Sequence, residues 1–232
     1  MCNWITHAMI ADIILACHPQ LHARGFAIGS IAPDCNIENE DWTAFTPPRE
    51  VTHWMKDRKK RTGDYLDFFA QYRKQPAVSP EEDAFLLGYA AHLIADAEYQ
   101  WFFRSEIHVQ NMYARIRGIP EMAEKLAGCP EDFDSLKKAF TKWTVFADIV
   151  DLEEKYILAH PDSCYNRIIR ATTEYPDYLD FLPPGAIVRK IPSLGPEVTA
   201  NPHGGASHLF FTVEDYEGFI ERTCRIIEEQ LL

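Results

Sequence analysis

Five side chains in the first half of the chain are of types that hold a divalent cation: His7, Asp34, His53, His92 and Asp96. His92 and Asp96 belong to the stretch EDAFLLGYAAHLIADAEYQWFFRSE, residues 82–106, which reads as one long, mostly apolar helix. Four residues apart, they lie on one face, one turn from each other. Two polar, metal-competent groups on the buried part of a helix need a reason. A histidine bonded to a nearby carboxylate is also a common structural device, so the pair alone decides nothing. The other three widen the case, because each falls at the start of an element or in a turn. Nitrogen and carboxylate ligands from separate elements are what zinc or a similar ion requires: lone pairs converging on one point, held by a rigid scaffold. Two histidines and two aspartates formally neutralise a doubly charged ion and leave room for a water. Such an ion lowers the pKa of bound water and offsets charge on phosphoryl oxygens. Asp34 is the candidate catalytic group for orienting or deprotonating that water.

The elements that must position these residues are helical. The 82–106 helix has Ser79 as N-cap, Pro80 at its first position and Glu81, Glu82 and Asp83 in its first turn. Thr6 reads as the N-cap of a first helix reaching Cys17, with His7 in the first turn. A short helix covers Leu21–Ile28. Gly29 and Pro33 then break the pattern and carry Asp34 on a tight loop. His53 falls in a helix near Arg49–Arg58, and Thr62 caps a helix with Tyr65, Phe68, Phe69 and Tyr72 on its apolar face. A helix at Pro120–Ala127 stops at Gly128. Pro130–His160 reads as a second long helix, with Phe133, Leu136, Phe140, Trp143, Phe146 and Val150 turned inward and Asp148 and Asp151 on a solvated or salt-bridged face. Ser163–Glu174 reads as a shorter helix. Residues 183–212, rich in Pro and Gly, form a long loop with room for a hairpin around Ile187 and Phe210. That loop carries His203 and His208 and is either a lid over a site or a plain surface loop. A last helix spans Val213–Leu232. The expected fold class is all-α: one domain over 1–232, a multi-helix bundle around the long central helix.

The 232 residues are 47% hydrophobic with a formal net charge of −12 and a pI near 5.2. That composition excludes a disordered chain, and the acidity argues against a passive nucleic-acid binder, which needs a basic stripe. The six cysteines form no CxxC pair, so reduced thiols are expected. No apolar run is long enough to span a bilayer and the N-terminus lacks a basic n-region, so a cytoplasmic location is expected. There is no HExxH, no adjacent His-Asp dipeptide, no Gly-x-Ser-x-Gly elbow and no P-loop.

The succession Trp4-Ile5-Thr6-His7, Gly29-Ser30-Ile31-Ala32-Pro33-Asp34, Thr52-His53-Trp54 and Gly88-Tyr89-Ala90-Ala91-His92-Leu93-Ile94-Ala95-Asp96 resembles the zinc-dependent phospholipase C family. The wider group is similar in fold to the trinuclear-zinc nucleases of the S1/P1 kind. The resemblance implies that Asp34, His53, His92 and Asp96 bind one zinc, and that His7 binds a second ion bridged by Asp96. It departs from the family after Asp96. Where the family has a further histidine, this chain has Glu98, Tyr99, Gln100, Trp101 and Phe102, and no histidine until His108. The second long helix lacks a His-x-x-x-Glu or His-x-x-x-Asp pair. One or two zinc ions are therefore expected. The resemblance implies a metal-dependent hydrolase of phosphate esters, acting on a small phosphate ester or phospholipid head group. The alternative is a metal-stabilised binding or structural protein that has lost turnover.

Overall fold

The computed structural model describes residues 3–41, 43–73, 79–194 and 207–232, and outside these lie Cys2, His203 and the side chain of Trp143. The described chain is all-α. Ten α-helices occur among those residues: α1 Trp4–Cys17, α2 Ala23–Gly29, α3 Arg49–Thr52, α4 Tyr65–Tyr72, α5 Pro80–Arg104, α6 Glu106–Arg117, α7 Pro120–Lys125, α8 Phe133–Ala159, α9 Ala186–Lys190 and α10 Val213–Leu231. The strands are a two-residue antiparallel pair, β1 Ile37–Glu38 and β2 Phe45–Thr46.

Helix α5 is the axis of the fold. Its start follows the local rules: the Ser79 side chain accepts from the Glu82 N–H at 3.1 Å, with Pro80 at the first position. Residues 84–99 are buried without interruption, so the helix is buried all round rather than amphipathic, with His92, Asp96 and Glu98 as its buried polar groups. Helices α2, α4 and α10 pack on it. The α2–α5 contact is backbone to backbone. A Cβ on Gly29 would stand 2.1 Å from the Phe85 carbonyl oxygen, and one on Gly88 would stand 2.2 Å from that of Phe26. Only glycine permits that approach, and it brings the end of α2 against the middle of α5.

Several expected boundaries move. Helix α1 starts at Trp4, with Asn3 rather than Thr6 as its N-cap. The Thr6 N–H instead donates at 3.1 Å to Glu153 of α8, so His7 lies in the second half of the first turn and is buried. The helix expected to reach Arg58 stops at Thr52, because Trp54, Asp57 and Arg58 all take positive φ. Ser163–Glu174 is helical only over Tyr165–Ile169, and Ile187 lies in α9 rather than in a hairpin. Trp101, on α5, is 55% exposed with the Arg222 guanidinium over its ring. In α8 the backbone of Thr141 breaks the helix at φ 64 and ψ 152. The break resets the helical phase, so Val145, Asp148 and Ile149 face inward beyond it. Asp148 is thus fully buried, whereas a single uninterrupted period places it outside.

Candidate metal centre

Four elements deliver the five predicted residues to one place. Asp34 ends the 3-10 turn Ala32–Asp34 that follows α2. His53 caps α3, and His92 and Asp96 come from the middle of α5. His7 comes from α1, and its ring stacks on that of His92, with centroids 3.8 Å apart and an interplanar angle of 12°. Nε2 of His53 lies 3.2 Å from Asp34 Oδ1, 3.4 Å from Asp96 Oδ2 and 3.4 Å from Nε2 of His92. His92 Nε2 is 3.7 Å from Asp96 Oδ2, and His7 Nε2 is 3.8 Å from Asp96 Oδ1.

The second ring nitrogens are engaged from behind. Nδ1 of His92 is 2.8 Å from the carbonyl oxygen of Ser30, the residue the close α2–α5 approach puts there. That oxygen only accepts, so Nδ1 carries the proton and Nε2 points its lone pair into the cluster. Nδ1 of His53 lies 3.2 Å from the Arg49 carbonyl oxygen and 2.9 Å from Thr52 Oγ1. With its proton there, Nε2 of His53 also faces inward as a lone pair. The Tyr89 hydroxyl donates to the Thr52 carbonyl and ties this end of α3 to α5.

Two imidazole lone pairs facing each other between two carboxylates repel unless a cation sits among them. Burial pushes the His7 and His53 pKa values down, so neither ring readily supplies that charge by protonation. Burial alone would raise both carboxylates. At Asp34 a hydrogen bond from His53, available only when Nε2 carries the proton in the ion-free protein, and charge on the neighbouring His92 outweigh it. At Asp96 the Lys60 ammonium and His92 do so, and both aspartates are held well below the usual range. His7 Nε2 is buried with no hydrogen-bond partner among the described residues. Ligand distances of about 2.0–2.1 Å around a tetrahedral zinc place neighbouring ligand atoms about 3.3 Å apart. The separations of 3.2, 3.4, 3.4 and 3.7 Å among Asp34, His53, His92 and Asp96 suit such an ion. Their nitrogen and oxygen donors do too.

The sequence gives no sign of Lys60. It lies in the run Arg58-Lys59-Lys60-Arg61, which reads as a solvated charge cluster. Only Lys60 turns inward, and its ammonium contacts Asp96 Oδ2. The other acidic candidates lie elsewhere. Asp148 accepts from the backbone N–H groups of Ser207, His208, Phe210 and Phe211 at 2.8, 2.7, 3.0 and 3.2 Å. Asp151 pairs with Lys155 at 2.7 Å and His208 at 3.0 Å, the salt-bridged face expected of it. His108 sits against the Phe102 ring, 3.7 Å from Asp215.

Residues 6–115, just under half of the chain, match the family model described as zinc dependent phospholipase C. That segment contains the five converging residues and Lys60, and excludes Asp148 and Asp151. No curated protein and no solved structure matches the chain. Among the described residues, no helix is long and apolar enough to cross a membrane.

Proposed function

We propose that the chain is a metal-dependent hydrolase of phosphate esters, acting as one domain with zinc held by Asp34, His53, His92 and Asp96. One observation carries the reading: the Nε2 atoms of His53 and His92 face each other at 3.4 Å between two buried carboxylates. The family match over the same segment supplies the reaction class. A bound divalent ion supplies a more acidic water and offsets the charge that develops on phosphoryl oxygens.

The protein's own groups do the rest. Ser30 and Arg49 fix the tautomers of His92 and His53 through their carbonyl oxygens. Stacking of His7 on His92 fixes the ring plane. Asp34, with its side chain 10% exposed, is the most accessible of the five, so water and substrate approach beside it. A carboxylate held so far below its usual range stays ionised. Its part is to accept a hydrogen bond from an incoming water and aim the oxygen, rather than to keep the proton.

The test compares the parent with Asp34→Asn on an aryl phosphodiester and an aryl phosphomonoester. Turnover by the parent stops with chelator and returns with zinc. Asn keeps the shape and loses the charge that aims the water, and turnover falls on the order of 10²-fold. A zinc-loaded parent that hydrolyses neither ester, nor any of a panel of phospholipids and nucleotides, refutes the enzyme and leaves a metal-stabilised binding protein.

A further inference from the structure

The buried titratable groups form two overlapping triads, His7–His92–Asp96 and Asp34–His53–His92, each with its ligand atoms within 4.8 Å of one another. They share His92, and His92 has one lone pair to give. Its Nδ1 faces the Ser30 carbonyl oxygen, so Nε2 is its only free ligand atom. The two triads are therefore not two sites. Once His92 and Asp96 Oδ2 join Asp34 and His53, the other group is left, among the described residues, with His7 and Asp96 Oδ1, too few for a second firmly held ion. A positive charge already stands on Asp96: the Lys60 ammonium contacts Oδ2, the oxygen that also faces His53 and His92, and the lysine side chain is 8% exposed.

The backbone holds Lys60 in that position. Lys56–Lys59 is a tight turn closed by the Lys59 N–H on the Lys56 carbonyl at 3.0 Å, with Asp57 and Arg58 at φ 56 and 57. On the other side the Arg61 N–H donates to Asp64 Oδ2 at 2.8 Å. Lys60 is thus clamped between a hairpin turn and a helix start, and its stem runs inward while Arg58 and Lys59 stay in solvent. Asp34 and Lys60 are also the two charged groups of the cluster that keep some solvent contact.

We propose that Lys60 is the centre's second cation: the chain holds one divalent ion, and the Lys60 ammonium holds Asp96 while donating to a phosphoryl oxygen of a singly charged phosphodiester. This rests on the metal-site reading above. With neutral imidazoles, two carboxylates, one ammonium and one divalent ion, the centre carries a single net positive charge. That charge complements a diester monoanion and falls one short of a monoester dianion. An ammonium has three donors, so pairing with Asp96 leaves others for the ester.

Two readouts besides turnover test this: zinc ions per chain by elemental analysis, and the affinity of zinc-loaded protein for dimethyl phosphate by calorimetry. Lys60→Met keeps the stem and removes the charge. The expected result is one zinc per chain in both proteins and dimethyl phosphate bound about 10- to 100-fold more weakly by Lys60→Met, the loss of one charge-assisted hydrogen bond. Lys60→Arg restores most of that affinity. Two zinc ions on the parent overturn the proposal and leave the hydrolase reading standing. No zinc on the parent overturns both. Unchanged dimethyl phosphate affinity in Lys60→Met reduces Lys60 to a structural partner of Asp96. Loss of zinc from Lys60→Met also overturns the proposal, because a cation that only accompanies the ion cannot be required to bind it.

Discussion

The chain buries acids in two regions, and their surroundings are opposite. On α8, Asp148 receives four backbone N–H groups, and Glu153 receives the Thr6 N–H, the Thr6 hydroxyl and the Asn3 amide. Every neighbour named is a donor, so these carboxyl groups are satisfied by the fold itself. Around α5, Asp34 and Asp96 face imidazole nitrogens whose protons are turned away, and one ammonium. A buried acid among donors is a clamp, whereas a buried acid among lone pairs calls for a cation, as the metal reading proposed above supplies. Burial shows neither, because both pairs are buried; the partner atoms do.

The sharpest break of this comparison is on the clamp side. Asp148→Asn sets an amide donor against backbone N–H groups and should cost about 3–5 kcal/mol in urea unfolding, the range for breaking a buried charged network. Asp34→Asn, measured on chelated protein, should cost less, because its carboxylate loses the facing His53 and His92 rings rather than four backbone N–H groups. Equal losses would erase the distinction.

Glu153 sharpens it through pH. Burial, only partly offset by its donors, raises its pKa from 4.5 to about 7, opposite to Asp34 and Asp96. Between those values the folded form keeps a proton that the unfolded form has released, so stability falls as pH rises through this window and levels above it. The expected loss is on the order of 3 kcal/mol. His7 and His53, lowered by burial, act in the opposite sense below their ordinary range, so the reading is the difference between parent and Glu153→Gln. A flat difference from pH 4.5 to 7 contradicts the assignment.

Chelation should touch only the α5 side. At free zinc about 100 times its dissociation constant, removing the ion costs about 2.7 kcal/mol. The melting temperature of the parent and of Glu153→Gln should drop by several degrees, and that of His92→Ala should not move. An equal drop in His92→Ala would place the ion elsewhere. The smallest effect is Gly29→Ala. Its Cβ meets the Phe85 carbonyl, and pushing α2 from α5 should cost about 1–3 kcal/mol. It should also weaken zinc binding, because Ser30 moves with α2. Unaltered zinc affinity would show that the Ser30 carbonyl does not set the His92 tautomer.

What could be read from the sequence follows the same division. Helix α5 was legible because its cap, its first-turn acids and its apolar run agree. The residues that converge were legible because His7, Asp34, His53 and the His92–Asp96 pair stand in an ordered series of motifs. Lys60 was not, since a basic run looks the same whether or not one member turns inward. Asp148 was misplaced because one residue, Thr141, resets the period of α8. The end of α3 was overrun because the positive φ of Trp54, Asp57 and Arg58 has no glycine to announce it.

The central claim is a place for one ion, and anomalous diffraction at the zinc edge on zinc-loaded crystals tests it most directly. The account predicts one strong peak within about 2.0–2.2 Å of ligand atoms from Asp34, His53, His92 and Asp96. No peak among these four side chains, or a peak only at Asp148, Asp151 or His208, would contradict it.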